Sequence, residues 1–334
     1  MANEIGLIPV DFEFTSDELA AAKEVLARVK ASPYESYRNF KNDIDELASQ
    51  LPERFVDFAA ETARRDFDTH PIVVMSNCPI DDVIPVLSNE DPRSDKLARK
   101  TTFVAEAFLA AYAKLTDTET IAHLTVNDGD FFHDIYPKSS MYDLQSAKTL
   151  KTLKFHRDFP THFVAPDFIN TITLRDTPEN EVYSTFAVNV DVLRELSPSD
   201  IEILAEARFT TPVDDSSGAS KLKKLDPVGA HPIIDPEGRG LKIFEGRTRG
   251  ADHEADEVFG RVIEALHRVK KTRVTRPGDA VSFCNRSVIH GREVVHVGDA
   301  DELAHRWLIK SHTVFSLREH EKYFLDDRYA VVNG

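Results

Sequence analysis

The pattern of apolar and polar positions changes period along this chain. In its first third, apolar residues recur at helical spacing. Ser16 to Val29 reads as an amphipathic helix with Asp17 and Glu18 in its first turn, where negative charge meets the positive end of the backbone dipole. A second helix is expected from Asn42 to Arg65, and a third, rich in Ala and Phe, from Arg99 to Leu115. Between them Ile72-Val73-Val74-Met75 is a short apolar run suited to a buried strand. From His123 onward short strands dominate, interrupted by helices near Ser197 to Ala205 and from Asp252 to Val269.

Helices that brace one face of a sheet, followed by many short strands, predict a mainly β fold with flanking helices. Its core is expected to be a double-stranded β-helix, a cupin-like jelly-roll of two sheets. The 334 residues would allow two average domains, but no low-complexity linker or internal repeat divides them. One domain is expected, with a helical buttress over about residues 1–120 and the jelly-roll core over about 121–325.

The candidate chemistry lies on three of the later segments. Leu150 to Phe159 alternates apolar and polar residues, so His156 and Asp158 share a face while Arg157 points away. Asp279 to Arg286 reads as a strand entered through the turn Pro277-Gly278-Asp279, and delivers His290 at or just beyond its end. Two histidines and a carboxylate cover one face of an octahedral iron(II) and leave three positions open for co-substrate and dioxygen. A His-x-Asp pair alone is more often a surface or hydrogen-bonded core feature. A third strand, His305 to Phe315, begins near Arg306, sixteen residues after His290, and an arginine there can grip a carboxylate in bidentate fashion.

With these segments in hand, the chain resembles the clavaminate synthase-like branch of the iron(II)/2-oxoglutarate-dependent dioxygenases, which includes hydroxylases of free amino acids. The resemblance runs from Pro71-Ile72-Val73-Val74-Met75 through Phe131 to Pro137 and Gln145-Ser146 to the His305-Arg306-Trp307-Leu308 segment. It implies Fe(II) held by His156, Asp158 and His290, with 2-oxoglutarate and O2 as co-substrates. It also implies Arg306 on the distal carboxylate of 2-oxoglutarate, Thr185 (with Ser184 the adjacent candidate) beside it, and Ser146 on the substrate amino acid. The implied activity is hydroxylation of an unactivated C–H bond of a free L-amino acid or an amino-acid-derived natural-product intermediate, with release of succinate and CO2. Desaturation and cyclisation stay open. A carboxylate ligand fills the position that halogenating relatives leave for chloride, which favours hydroxylation over chlorination.

Two departures touch substrate more than reaction. Many members of the branch use Glu where this chain has Asp158, and many carry a second arginine where it has Lys310, a point charge without the bidentate fork. The interval from His290 to Arg306 is also extended, through Val297 to Glu302.

Composition narrows the partners. A formal net charge of −16 repels a phosphate backbone, so nucleic acid is not expected. The same charge fits a cationic substrate or simple solubility equally well. No apolar run is long enough to span a bilayer, and Met1 to Ile5 lack the basic-then-apolar pattern of a leader, so a cytoplasmic location is expected. Cys78 and Cys284 are expected to be buried thiols. Gln145, Ser146, Lys310 and Glu245 are the candidate substrate contacts. Asp143 and Glu245 would suit a basic side chain, whereas Arg247 and Arg249 would suit an acidic one. The alternatives are a metal-dependent hydrolase using the same three ligands and a non-catalytic jelly-roll that binds a metal or ligand.

Overall fold

The computed structural model describes residues 6–212, 229–326 and 328–333, so the opening pentapeptide lies outside it. In chain order the first half runs β1 (Phe12–Glu13), α1 (Ser16–Leu26), α2 (Tyr37–Leu47), α3 (Glu53–Thr62), β2 (Ile72–Ser76), α4 (Pro92–Arg99), α5 (Val104–Leu115), β3 (Glu119–His123), β4 (Phe132–Ile135), β5 (Leu153–His156) and β6 (Phe168–Arg175). It continues with β7 (Asn180–Val188), α6 (Asn189–Arg194), α7 (Pro198–Leu204), β8 (Phe209–Thr210), β9 (Arg249–Gly250), α8 (His253–Val269), β10 (Lys271–Val274) and β11 (Ala280–Cys284). Last come β12 (Val288–Val297), α9 (Ala300–Ala304), β13 (Trp307–Val314), β14 (Phe324–Leu325) and β15 (Arg328–Val332).

Helix α1 starts where its acidic first turn predicts, closed by a capping box in which Thr15 and Glu18 bond each other's backbone N–H. The expected helix from Asn42 to Arg65 is instead two, α2 and α3. Pro52 lies between them, where it cannot donate to a continuing helix and Leu51 turns extended. Arg99 ends α4 rather than opening the next helix, and Val104 through Ala113 in α5 are all buried, the mark of a helix covered on every side.

The large sheet has the order β1-β2-β11-β6-β13-β3-β15-β14, with β4 also on β13, and the small one the order β10-β7-β12-β5. Strands β1 and β2 belong to the large sheet, which therefore draws strands from both sides of residue 120. Helices α1, α2, α3 and α5 pack against the outer face of the large sheet through Val73, Met75, Ile172 and Ile309. Helices α7 and α8 cover the small sheet through Phe155, Ala187 and Ile289. The remaining faces meet each other: Val74, Ile169, Val281 and Phe283 of the large sheet pack on Phe186 and Val288 of the small one. Beyond that apolar contact lies a pocket of about 260 Å³ lined from both sheets.

Candidate metal centre and pocket

His156 ends β5 and His290 sits directly opposite it in β12. His290 was expected at or just beyond the end of β11; the chain turns at Asn285 to Ser287 and crosses to the other sheet before presenting it in β12. Register makes the pairing possible: His290 faces His156 and Arg292 faces Leu153, so β5 carries one extra residue and bulges. Such a bulge re-aims the side chains beside it. Gly291 lies at the close approach, where an added Cβ would stand 2.8 Å from the carbonyl oxygen of Leu153. Asp158 follows β5 in the loop rather than in the strand, held by Asn285, whose side-chain amide accepts from Asp158 N (3.1 Å) and donates to Asp158 O (3.0 Å).

The nitrogens and one carboxylate oxygen of His156, Asp158 and His290 lie within 4.8 Å of one another. His156 Nε2 is 3.4 Å and His290 Nε2 3.8 Å from Asp158 Oδ1. The other nitrogen of His156, Nδ1, lies 2.9 Å from the carbonyl of Lys154, which fixes the tautomer and leaves the Nε2 lone pair facing the centre. Burial, reinforced by His156, pushes His290 well below its ordinary range, so it stays neutral as a ligand must. Burial alone would raise Asp158. Lys310, 2.8 Å from Oδ2, outweighs it together with His156, His312 and His290, and holds the carboxyl well below its usual range. This donor set of two imidazoles and one ionised carboxylate on one side of an open pocket fits iron(II).

Arg306, just ahead of β13, and Leu308 and Lys310 within it line the pocket at alternate positions. Arg306 is buried and paired with Asp176 at 2.8 Å, while His305, on the opposite face, meets the Tyr136 hydroxyl. Strand β7 turns one of the two hydroxyl candidates to the pocket. Ser184 and Phe186 line the pocket, whereas Thr185 does not. Thr185 lies on the face that carries Ala187 into the α8 core, because side chains alternate along a strand. Glu245 is also outside the lining: its carboxylate accepts from Phe155 N at 3.2 Å and meets His267 at 3.0 Å. Asp143 is exposed and paired with Lys151, and Arg249 turns to backbone carbonyls. Gln145 and Ser146 do line the pocket, but the Gln145 amide is engaged by Lys154 N and the Thr152 carbonyl.

Several residues in and around the pocket were not legible in advance. Arg292 reaches the carbonyls of Ala147, Thr149 and Lys151 and so pins the loop bearing Gln145 and Ser146. Burial lowers its guanidinium to about 9, which leaves it protonated at neutral pH. Asn285 and Asp176 position Asp158 and Arg306 from buried sites. The only sequence signal for them was polarity beside a strand, which does not distinguish a clamp from a turn.

No family model matches the chain. L-lysine 3-hydroxylase from Catenulispora acidiphila is 24% identical over 285 residues, covering 84% of this chain and 77% of that protein. Clavaminate synthase 2 from Streptomyces clavuligerus is 22% identical over 286 residues, 83% of each chain. Among solved structures, an asparagine oxygenase in complex with Fe(II), 2S,3S-3-hydroxyasparagine and succinate superposes with a TM-score of 0.82 at 19% identity over 97% of this chain and 99% of that one. The non-heme iron oxygenase OrfP, in complex with Fe and alpha-ketoglutaric acid, superposes with a TM-score of 0.77 at 20% identity over 96% and 99%. In sequence and in fold, the relatives of this chain are thus iron and 2-oxoglutarate amino-acid oxygenases of the clavaminate synthase-like branch, the family its motifs resemble.

Proposed function

We propose that the protein is an Fe(II)/2-oxoglutarate-dependent oxygenase that hydroxylates a C–H bond of a free L-amino acid or an amino-acid-derived intermediate. The observation that carries this reading is the convergence of His156, Asp158 and His290 on a pocket that also holds Arg306. A hydrolase or a simple metal binder has no need of the second, cationic end. We also read the two facing sheets as a double-stranded β-helix core within one domain, a reading supported by the likeness to the oxygenase folds.

In this reading His156, Asp158 and His290 hold the iron, which when bound supplies the activation of dioxygen that the side chains lack. Arg306 receives the distal carboxylate of 2-oxoglutarate, with Ser184 in place of Thr185 as the neighbouring hydroxyl donor. Ser146 and the loop pinned by Arg292 border the substrate, and Lys310 offers its ammonium between metal centre and substrate. Phe186, Phe244 and Phe283 wall the pocket and keep water from the reacting carbon. One atom of O2 enters the C–H bond as hydroxyl, the other enters the new carboxylate of succinate, and CO2 leaves. The test is aerobic incubation with Fe(II), ascorbate, 2-oxoglutarate and a panel of amino acids. Succinate rising together with a product one oxygen heavier is expected. Iron binding without any succinate sinks the oxygenase reading.

A further inference from the structure

Four further polar residues line the pocket, and three of them carry buried donors without a partner. They come from three stretches of the chain, Thr125 with Asn127, His133, and Lys148. His133 of β4 lies opposite Lys310 in the ladder, four residues or about 13 Å along β13 from Arg306. It is only 2% exposed, and neither ring nitrogen has a partner in ordinary hydrogen-bonding geometry, beyond a weak approach to the Asp130 backbone. Thr125 Oγ1 and Asn127 Nδ2 are likewise buried without partners. Lys148 Nζ meets Asn127 Oδ1 at 2.8 Å and has no carboxylate within ion-pairing distance among the described residues. All four residues line the same pocket.

The acids of the lining are already committed. Asp158 belongs to the metal centre and Lys310, and Asp134 is paired with the fully buried Lys96 at 2.7 Å and accepts from Trp307 at 3.1 Å. Glu245 and Asp143 stand outside the lining. Among the described residues, then, a basic side chain entering here would find no free carboxylate and would meet Lys148 instead. An amide N–H, a hydroxyl and an imidazole left unpaired in a buried pocket, beside an ammonium that no carboxylate neutralises, are complementary to a carboxylate, which accepts several hydrogen bonds and cancels the charge.

We propose that the substrate is an acidic amino acid whose side-chain carboxylate is received by Lys148, Asn127, Thr125 and His133. This deepens the oxygenase reading and rests on it. It also separates this chain from its relative named for L-lysine.

The experiment compares L-aspartate and L-glutamate with L-asparagine, L-glutamine, L-lysine and L-arginine, following succinate and the oxygenated product. One acid should exceed its own amide about tenfold or more in kcat/KM, since a site built for a charged acceptor rejects the analogue lacking it. Lysine and arginine should give only the slow, substrate-independent succinate. Lys148→Met should bring the ratio of acid to amide towards one through KM, with the KM for 2-oxoglutarate and the melting temperature unchanged. Turnover of lysine or arginine, equal use of acid and amide, or a Lys148→Met variant that weakens all amino acids equally would each overturn the proposal. Iron-dependent succinate that no amino acid stimulates would overturn it while sparing the oxygenase reading. Absence even of that background would bring down both.

Discussion

At the scale of single residues, the centre depends on groups that hold the ligands as much as on the ligands. Asn285 touches no candidate ligand atom, yet its amide bonds both N and O of Asp158 from a fully buried position. Asn285→Ala should lower iron affinity about 10–100-fold with little change in overall fold, measured by titration of the apo-protein under anaerobic conditions. Unchanged affinity would mean that the Asp158 loop is set by other contacts. The hydroxyl question on β7 separates as clearly. Ser184→Ala should raise the KM for 2-oxoglutarate about tenfold, the loss of one hydrogen bond to a charged group, while Thr185→Ala leaves it unmoved. The reverse pattern would restore the sequence-based assignment. That His156, Asp158 and His290 converge on a pocket shared with Arg306 was legible, because ligand chemistry and strand alternation restrict residue type and spacing together. Which of Ser184 and Thr185 lines the pocket was not, because alternation says that neighbours face opposite ways and not which way faces the pocket.

At the scale of elements, charge does structural work at two places. Arg54 holds the Glu18 carboxyl of the α1 capping box down to about 2, aided by Thr15. The sign follows: a carboxyl depressed in the folded state stabilises it above its ordinary value of 4.5, and that contribution fades as pH falls from there towards 2. Glu18→Gln should therefore flatten the loss of stability in that window in denaturant titrations at stepped pH; an unchanged slope would remove Glu18 from the acid response. The fully buried Lys96 bridges α4 to Asp134 on β4 and lies 3.8 Å over the Tyr34 ring. Lys96→Met should cost about 3–5 kcal/mol by leaving Asp134 unpaired, and adding Asp134→Asn should recover part of it. Helix limits were only partly legible: the cap at Thr15 is local chemistry, whereas the break before α3 needed Pro52 to be given more weight than the apolar period that runs through it.

At the scale of the whole molecule, the pocket is made by two sheets whose strands come from distant stretches of chain, so its ligands should tie the sheets together. Iron(II) and 2-oxoglutarate, each near 100 times its dissociation constant, should add about 2.7 kcal/mol apiece to the unfolding free energy under anaerobic conditions. Chelation should reverse the metal's share, and Asp158→Ala should abolish it. Stabilisation by iron that survives in Asp158→Ala would place the ion elsewhere. Among the described residues no helix is long and apolar enough to cross a membrane. Both cysteines are buried and free, as expected of thiols that serve packing.

By itself the sequence determined which residue types stand at metal-ligand spacing, where an arginine can grip a carboxylate, and that helices precede a strand-rich half. Those are properties of short stretches, set by side-chain chemistry and by the periods of helix and strand. Only the tertiary structure decided that β12 rather than β11 carries His290, that Ser184 rather than Thr185 fronts the pocket, and that Glu245 is spent on His267 and Phe155. It alone brought Thr125, Asn127, His133 and Lys148 into the lining of one cavity. The reason is physical: a residue's facing depends on which side of its strand is buried and by what. That is settled when α8 packs on one sheet, α5 on the other, and the remaining faces close on each other.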